Sequence, residues 1–217
     1  MNISIKIRKW AAILALTFAL FYSIFQVLSL MHLIAKPYDL VAMFIPSLLL
    51  APAFVVVIVS MQYSHSNESK IFGLSAAGFA FIYCILASGV YFTQLTSVIP
   101  LQLHNEKVDQ LLLFEGTNIM VAIDCLAYAF MSLSSLFIAF SFTNHKRLFL
   151  SFFAHGLLLP FIIASFFYPA LLAIGALWMI TFPWAMIEVI RYCKPVTPGK
   201  KHNVVKSRVT EQELSSN

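Results

Sequence analysis

The chain has 217 residues, 60% of them apolar and 15% aromatic, and only 11% are Asp, Glu, Lys or Arg; its formal net charge is +5. Soluble domains carry about 25% charged residues, so this chain lacks the polar surface to clothe a globule in water. A soluble enzyme, a nucleic-acid-binding domain, a disordered chain and a disulfide scaffold are all excluded, and an integral membrane protein is left.

A membrane-crossing helix needs about 20 apolar residues. Six spans use roughly 120–140 residues, which leaves short loops and a tail but no folded soluble domain. Long unbroken apolar runs argue against a barrel, whose strands alternate. The expected fold is an all-α integral membrane protein, a bundle of six transmembrane helices over residues 1–191.

Span one is predicted over Ala11–Ile34, after Lys6, Arg8 and Lys9. The run exceeds the about 7–15 apolar residues of a signal peptide, so a retained span is expected. It carries Tyr22, Gln26 and His32. Span two, Leu40–Met61, contains Pro46 and Pro52, and span three, Ile71–Thr93, contains the small-residue stretch Gly73–Ala80, then Tyr83, Ser88 and Tyr91. A long connection follows, Gln94–Gly116. Its Leu101, Val108, Leu111 and Leu112 suit one side of a surface helix; a lid over the bundle mouth or a mobile loop are the alternatives.

Span four is predicted over Thr117–Phe142. Its Asp124, Tyr128, Ser132 and Ser135 recur at helical spacing on one face. Span five, Leu148–Phe167, carries His155, Gly156 and Pro160, and span six, Ala170–Ile190, follows a reversal at Tyr168-Pro169. The competing reading joins spans five and six into one long helix. Residues 192–217 form a basic tail expected to be disordered.

Short cytoplasmic loops collect Lys and Arg. With both termini cytoplasmic, the inner side holds Lys6, Arg8, Lys9, Lys70, Lys146, Arg147, Arg191, Lys194, Lys200, Lys201, Lys206 and Arg208, against Lys36 and Lys107 outside. An odd number of spans would spoil this division. Trp10, Tyr63 and Tyr192 at predicted inner ends, and Tyr38, Tyr91 and Tyr168 at outer ends, fit aromatic belts.

Ionisable and polar groups inside hydrocarbon are costly and mark function. Asp124 falls about 10 Å below the outer boundary, with no Lys or Arg at its depth. Gln26 lies near its level, with Tyr22, Tyr83 and Tyr128 about a turn below and Tyr91 toward the outer side. A polar pocket built from spans one, three and four is expected, open to the outside. Asp124 serves there as a proton-relay or cation-binding carboxylate, or else as a hydrogen-bonded group fastening helices. His155, one turn before Pro160, is a second candidate relay group, too far from Asp124 for direct contact; a neutral histidine bonded to neighbouring backbone is the alternative. Glu188, near Arg191 and Tyr192, reads as a surface pair. Prolines in spans two and five, the middle spans of two inverted halves, would point to a midplane site, although Pro183 in span six breaks the pattern.

No HExxH, GxSxG, paired-cysteine or glycine-rich phosphate motif occurs, and the histidines show no metal-ligand spacing. Cys84, Cys125 and Cys193 read as apolar filler. No cofactor is expected. The expected partners are membrane lipids, with anionic head groups an option at the basic tail, and no nucleic acid.

The strings Tyr91–Val98 and Asp124–Phe130 resemble small multi-span bacterial membrane proteins to which no activity is assigned. That resemblance implies no catalytic residues; it implies a bacterial inner membrane and pairing of spans three and four. The leading functional expectation is a small-solute or proton-coupled transporter or an accessory subunit. A structural or stress-response protein without substrate, and a membrane enzyme acting on a lipid or quinone, are the alternatives.

Overall fold

A computed structural model of the chain describes residues 3–62, 70–116 and 118–193. Among them the regular structure is entirely helical: α1 (Ile3–Leu30), α2 (Tyr38–Gln62), α3 (Lys70–Thr93), α4 (Ile99–Leu103), α5 (Ile119–Phe140), α6 (Lys146–Gly156), α7 (Leu159–Ala164), α8 (Leu172–Gly175) and α9 (Trp178–Tyr192). Six stretches are long and apolar enough to cross a membrane: α1, α2, Lys70–Leu103, α5, Lys146–Ala164 and Ala173–Tyr192. The expected tail lies outside the described residues from position 194 onward.

The six stretches close into a ring. α1 packs on α2, α2 on α3, α3 on α5, α5 on α6, α6 on α9, and α9 returns to α1. Small residues line the α3–α5 contact. Ala76, Ala77 and Ala80 are buried on α3, and the Ser134 hydroxyl on α5 donates to the Ala76 carbonyl at 2.7 Å. The core inside the ring is aromatic, with Phe54 edge-on to Tyr83 and tilted against Phe182.

One end of the ring is tied by charge and aromatic contacts. Arg8, 3% exposed, donates from Nη2 to the Ser60 carbonyl at 2.6 Å and lies over the Tyr192 ring at 5.7 Å. Phe142 and His145 pack edge-on against that tyrosine. At the opposite end the Ser29 hydroxyl donates to Asp39 Oδ2 at 2.7 Å, joining α1 to α2.

Three elements differ from the sequence expectation. Span three does not stop at Thr93. It continues through a wide turn at Gln94–Val98, where the Ile99 amide bonds Gln94, and on to Leu103. Pro100 causes no stop because it occupies the first turn of α4, where its missing N–H is not needed.

Spans five and six are each broken. Pro160 cannot donate to the Gly156 carbonyl, and the chain tightens there so that the Leu158 amide bonds His155 at 3.2 Å. In span six the Leu177, Met179 and Ile180 amides bond carbonyls three residues back, which separates α8 from α9. α2 instead runs on through Pro46 and Pro52. The helix breaks therefore occur in adjacent spans and not in matching positions of two halves.

The long connection that follows span three folds back as a cap on one end of the ring, not as a surface helix. Beyond Leu103, where α4 ends, Gln110–Leu112 is the one further helical turn before Gly116. Gln94, fully buried, donates from Nε2 to the Leu112 carbonyl at 2.7 Å, and Asn118 Nδ2 donates to the carbonyls of Gln110 and Leu113. Phe114 then inserts edge-on against Phe44 at 5.0 Å.

A tyrosine-lined cavity around Asp124

The breaks in spans five and six thin the ring on one side, and a cavity of about 190 Å³ occupies the space. α1 contributes Tyr22 and Gln26, and α5 contributes Val121, Asp124, Cys125 and Tyr128. Ile162 of α7, Gly175 of α8 and the adjoining Ala176, and Trp178 of α9 complete the walls, with Phe114 of the cap.

Asp124 is 8% exposed. Its Oδ1 is buried and has no hydrogen-bond partner among the described residues, and the same holds for Gln26 Oε1. An unpaired acceptor in a low-dielectric interior carries its full desolvation cost, so these two oxygens are primed for a donor. The neighbouring rings form a connected wall. Trp178 lies 5.2 Å from the Tyr22 ring and 5.5 Å from the Tyr128 ring, centroid to centroid.

Tyr83 and Tyr91 stand behind this wall and do not line the cavity. Tyr83 packs 6.1 Å from Tyr128 and edge-on against Phe54. The Tyr91 hydroxyl is 3.2 Å from that of Tyr128 and lies beside the Asp124 carboxyl group. Tyr22, Tyr83, Tyr91 and Tyr128 all sit within electrostatic range of Asp124. Ser132 and Ser135, lower on the same face of α5, are buried below the cavity.

The pocket thus draws on spans one, four, five and six, where the sequence pointed to spans one, three and four. Span three instead packs against α5, through contacts such as Ser134 on Ala76, and contributes no residue to the cavity wall. The residues that sequence reasoning missed are Trp178, Phe114 and the thin backbone at Gly175 and Ala176. Trp178 did leave a signal: tryptophan prefers the interface, so one placed well inside a span needs a local explanation.

His155 is not in the cavity. It is 1% exposed, its Nδ1 lies 3.0 Å from the Thr181 hydroxyl, and its ring stands edge-on to Phe182. Its Nε2 has no partner among the described residues, and no hydrogen bond joins it to Asp124. Its observed partner is a side chain of span six, not neighbouring backbone. Glu188 is buried at 6% exposure, not superficial, and accepts from Arg191 Nη1 at 2.6 Å. The three cysteines are free thiols, and no three His, Cys, Asp or Glu side chains converge as a metal site among the described residues.

No protein-family model matches the chain, and no curated protein or solved structure shows significant similarity to it.

Proposed function

We propose that this chain is an integral protein of a bacterial inner membrane, with both termini in the cytoplasm, and that it takes up a small solute or a proton at the Asp124 cavity. It acts as a small-solute or proton-coupled transporter or as an accessory subunit of one. The observation that carries the reading is a buried carboxylate oxygen that has no partner among the described residues, on the wall of a cavity inside the ring. The orientation rests on the charge pattern: Lys6, Arg8, Lys9, Lys70, Lys146, Arg147 and Arg191 flank the ends tied by Arg8 and Tyr192, and Lys36 and Lys107 flank the other.

The test is a thermal-shift screen of ions, lipids and small metabolites on the full chain in mild detergent, repeated on Asp124→Asn. A ligand of the folded state stabilises it by RT ln(1 + [L]/Kd), so the melting temperature climbs with ligand concentration. The expected result is a shift in the wild type that grows with the logarithm of ligand concentration above Kd and that Asp124→Asn abolishes. An identical shift in the variant, or none in the wild type, refutes the reading. A reporter fused after Asn217 that is active outside the cytoplasm refutes the orientation.

A further inference from the structure

We infer that the solute of the Asp124 cavity is a small organic cation, a protonated amine with a compact apolar body. The inference rests on the proposal that this cavity binds a solute, and it adds the chemical class.

The polar side of the cavity offers acceptors that lack donors: Asp124 Oδ1 and Gln26 Oε1. Among the described residues no Lys, Arg or His lines it, so an anion finds no cation there to pair with. A hard divalent ion needs six or more oxygen ligands, and the wall holds a single carboxylate. An ammonium group with N–H donors satisfies both free oxygens and neutralises Asp124 in one step.

The remaining wall suits a cation as well. Tyr22, Tyr128 and Trp178 form a connected aromatic surface, and aromatic faces attract cations most strongly where water is excluded. Tyrosine and tryptophan here do more than fill space, because Leu or Phe would fill it without the polar edges. A quaternary ammonium would gain the aromatic attraction but would leave both oxygens without donors.

Size sets the body of the ligand. An apolar protein cavity of about 150 Å³ accommodates benzene, so about 190 Å³ accommodates a six-membered ring with one aminomethyl group. Gly175 borders the space, and a methyl group there would meet only Ile162 Cγ1 at 3.8 Å. A larger side chain at 175 therefore grows into the cavity without striking backbone.

The experiment compares benzylamine hydrochloride, benzyl alcohol, benzoate and tetramethylammonium chloride at matched ionic strength. Each is titrated into the full-length protein in mild detergent, with melting temperature and tryptophan fluorescence as readouts. Benzylammonium is expected to bind saturably, on the order of tenfold or more tighter than benzyl alcohol or tetramethylammonium, with no binding of benzoate. Asp124→Asn and Gln26→Leu each weaken it, the former by about tenfold or more, and Gly175→Leu blocks it. Should Asp124→Asn fail to fold, Gly175→Leu and Gln26→Leu carry the test.

Equal or tighter binding of benzyl alcohol or benzoate, blocked by Gly175→Leu, overturns the amine assignment and leaves the solute-binding reading standing. Tetramethylammonium binding as tightly as benzylammonium overturns the donor argument. Absence of binding by all four probes overturns the assignment of chemical class; the broader screen with Asp124→Asn then decides separately whether the cavity binds any solute.

Discussion

Gly156 ends α6 where that helix crosses α5. A methyl group at this position would stand 2.8 Å from Leu136 Cβ and 2.9 Å from both Cα and N of the same residue. Carbon atoms pack at about 3.5–4.0 Å, so α5 and α6 must separate by roughly 0.7–1.2 Å. The obstacle is backbone, which cannot rotate aside as a side chain does. Overpacking of this kind costs about 1–3 kcal/mol, and alanine at a helix terminus recovers only part of the about 1 kcal/mol it gains over glycine in a helix interior. The net loss expected for Gly156→Ala is about 1–2 kcal/mol, or roughly 2–8 °C in melting temperature for a chain of this size. Gly78→Ala is the control, because nothing lies within 4 Å of its added methyl group; its melting temperature should hold or rise slightly. Thermal unfolding of both variants in the same detergent decides the matter. A Gly156→Ala protein as stable as Gly78→Ala would refute the close crossing of α5 and α6.

Two further substitutions probe the ends of the ring. Gln94→Leu removes the donor that holds the Leu112 carbonyl, so amide exchange across residues 104–116 should quicken severalfold while global stability falls by only about 1 kcal/mol; unchanged exchange there would show that Phe114 alone fixes the cap. Arg8→Ala removes a buried charged donor to the Ser60 carbonyl and the cation over Tyr192, for an expected loss of about 1.5–3 kcal/mol. Arg8→Lys should restore only part of it, since an ammonium lacks the planar fork, and an Arg8→Ala protein that melts with the wild type would remove Arg8 from the ties between α1, α2 and α9.

The run lengths and charge pattern made six apolar helices legible, because hydropathy over about 20 residues is set by the solvent and not by neighbours. The polar face of α5 was legible for the same reason that any helical face is: Asp124 and Tyr128 are one turn apart. The helix breaks were harder to read. Pro46 and Pro52 lie within a continuous α2, while spans five and six break near Pro160 and at Ala176–Leu177. Whether a proline interrupts a span depends on who satisfies the freed carbonyls, and that is decided by packing. The choice of partners around Asp124 was equally hidden. Tyr83 and Tyr91 have the depth to face a pocket, but the alanines of α3 draw that helix against α5 and turn both rings into packing.

A second buried aspartate in the same fold shows what is distinctive about the first. Asp39, at one end of the ring, accepts from the Ser29 hydroxyl at Oδ2 and from the Leu40 amide at Oδ1, so both oxygens are occupied and the carboxylate fastens α1 to α2. A fastening role for Asp124 would call for the same completeness, because an unmet acceptor costs about 1–3 kcal/mol while a polar contact between membrane helices returns only about 0.6 kcal/mol on average. The α3–α5 contact already has a satisfied tie in Ser134 and Ala76. Asp124, although its carboxyl group lies within hydrogen-bonding range of Tyr91 on α3, leaves Oδ1 without a donor among the described residues, at the edge of a space large enough to admit one. That energetic imbalance is the physical ground for proposing that this carboxylate is kept for what enters the cavity.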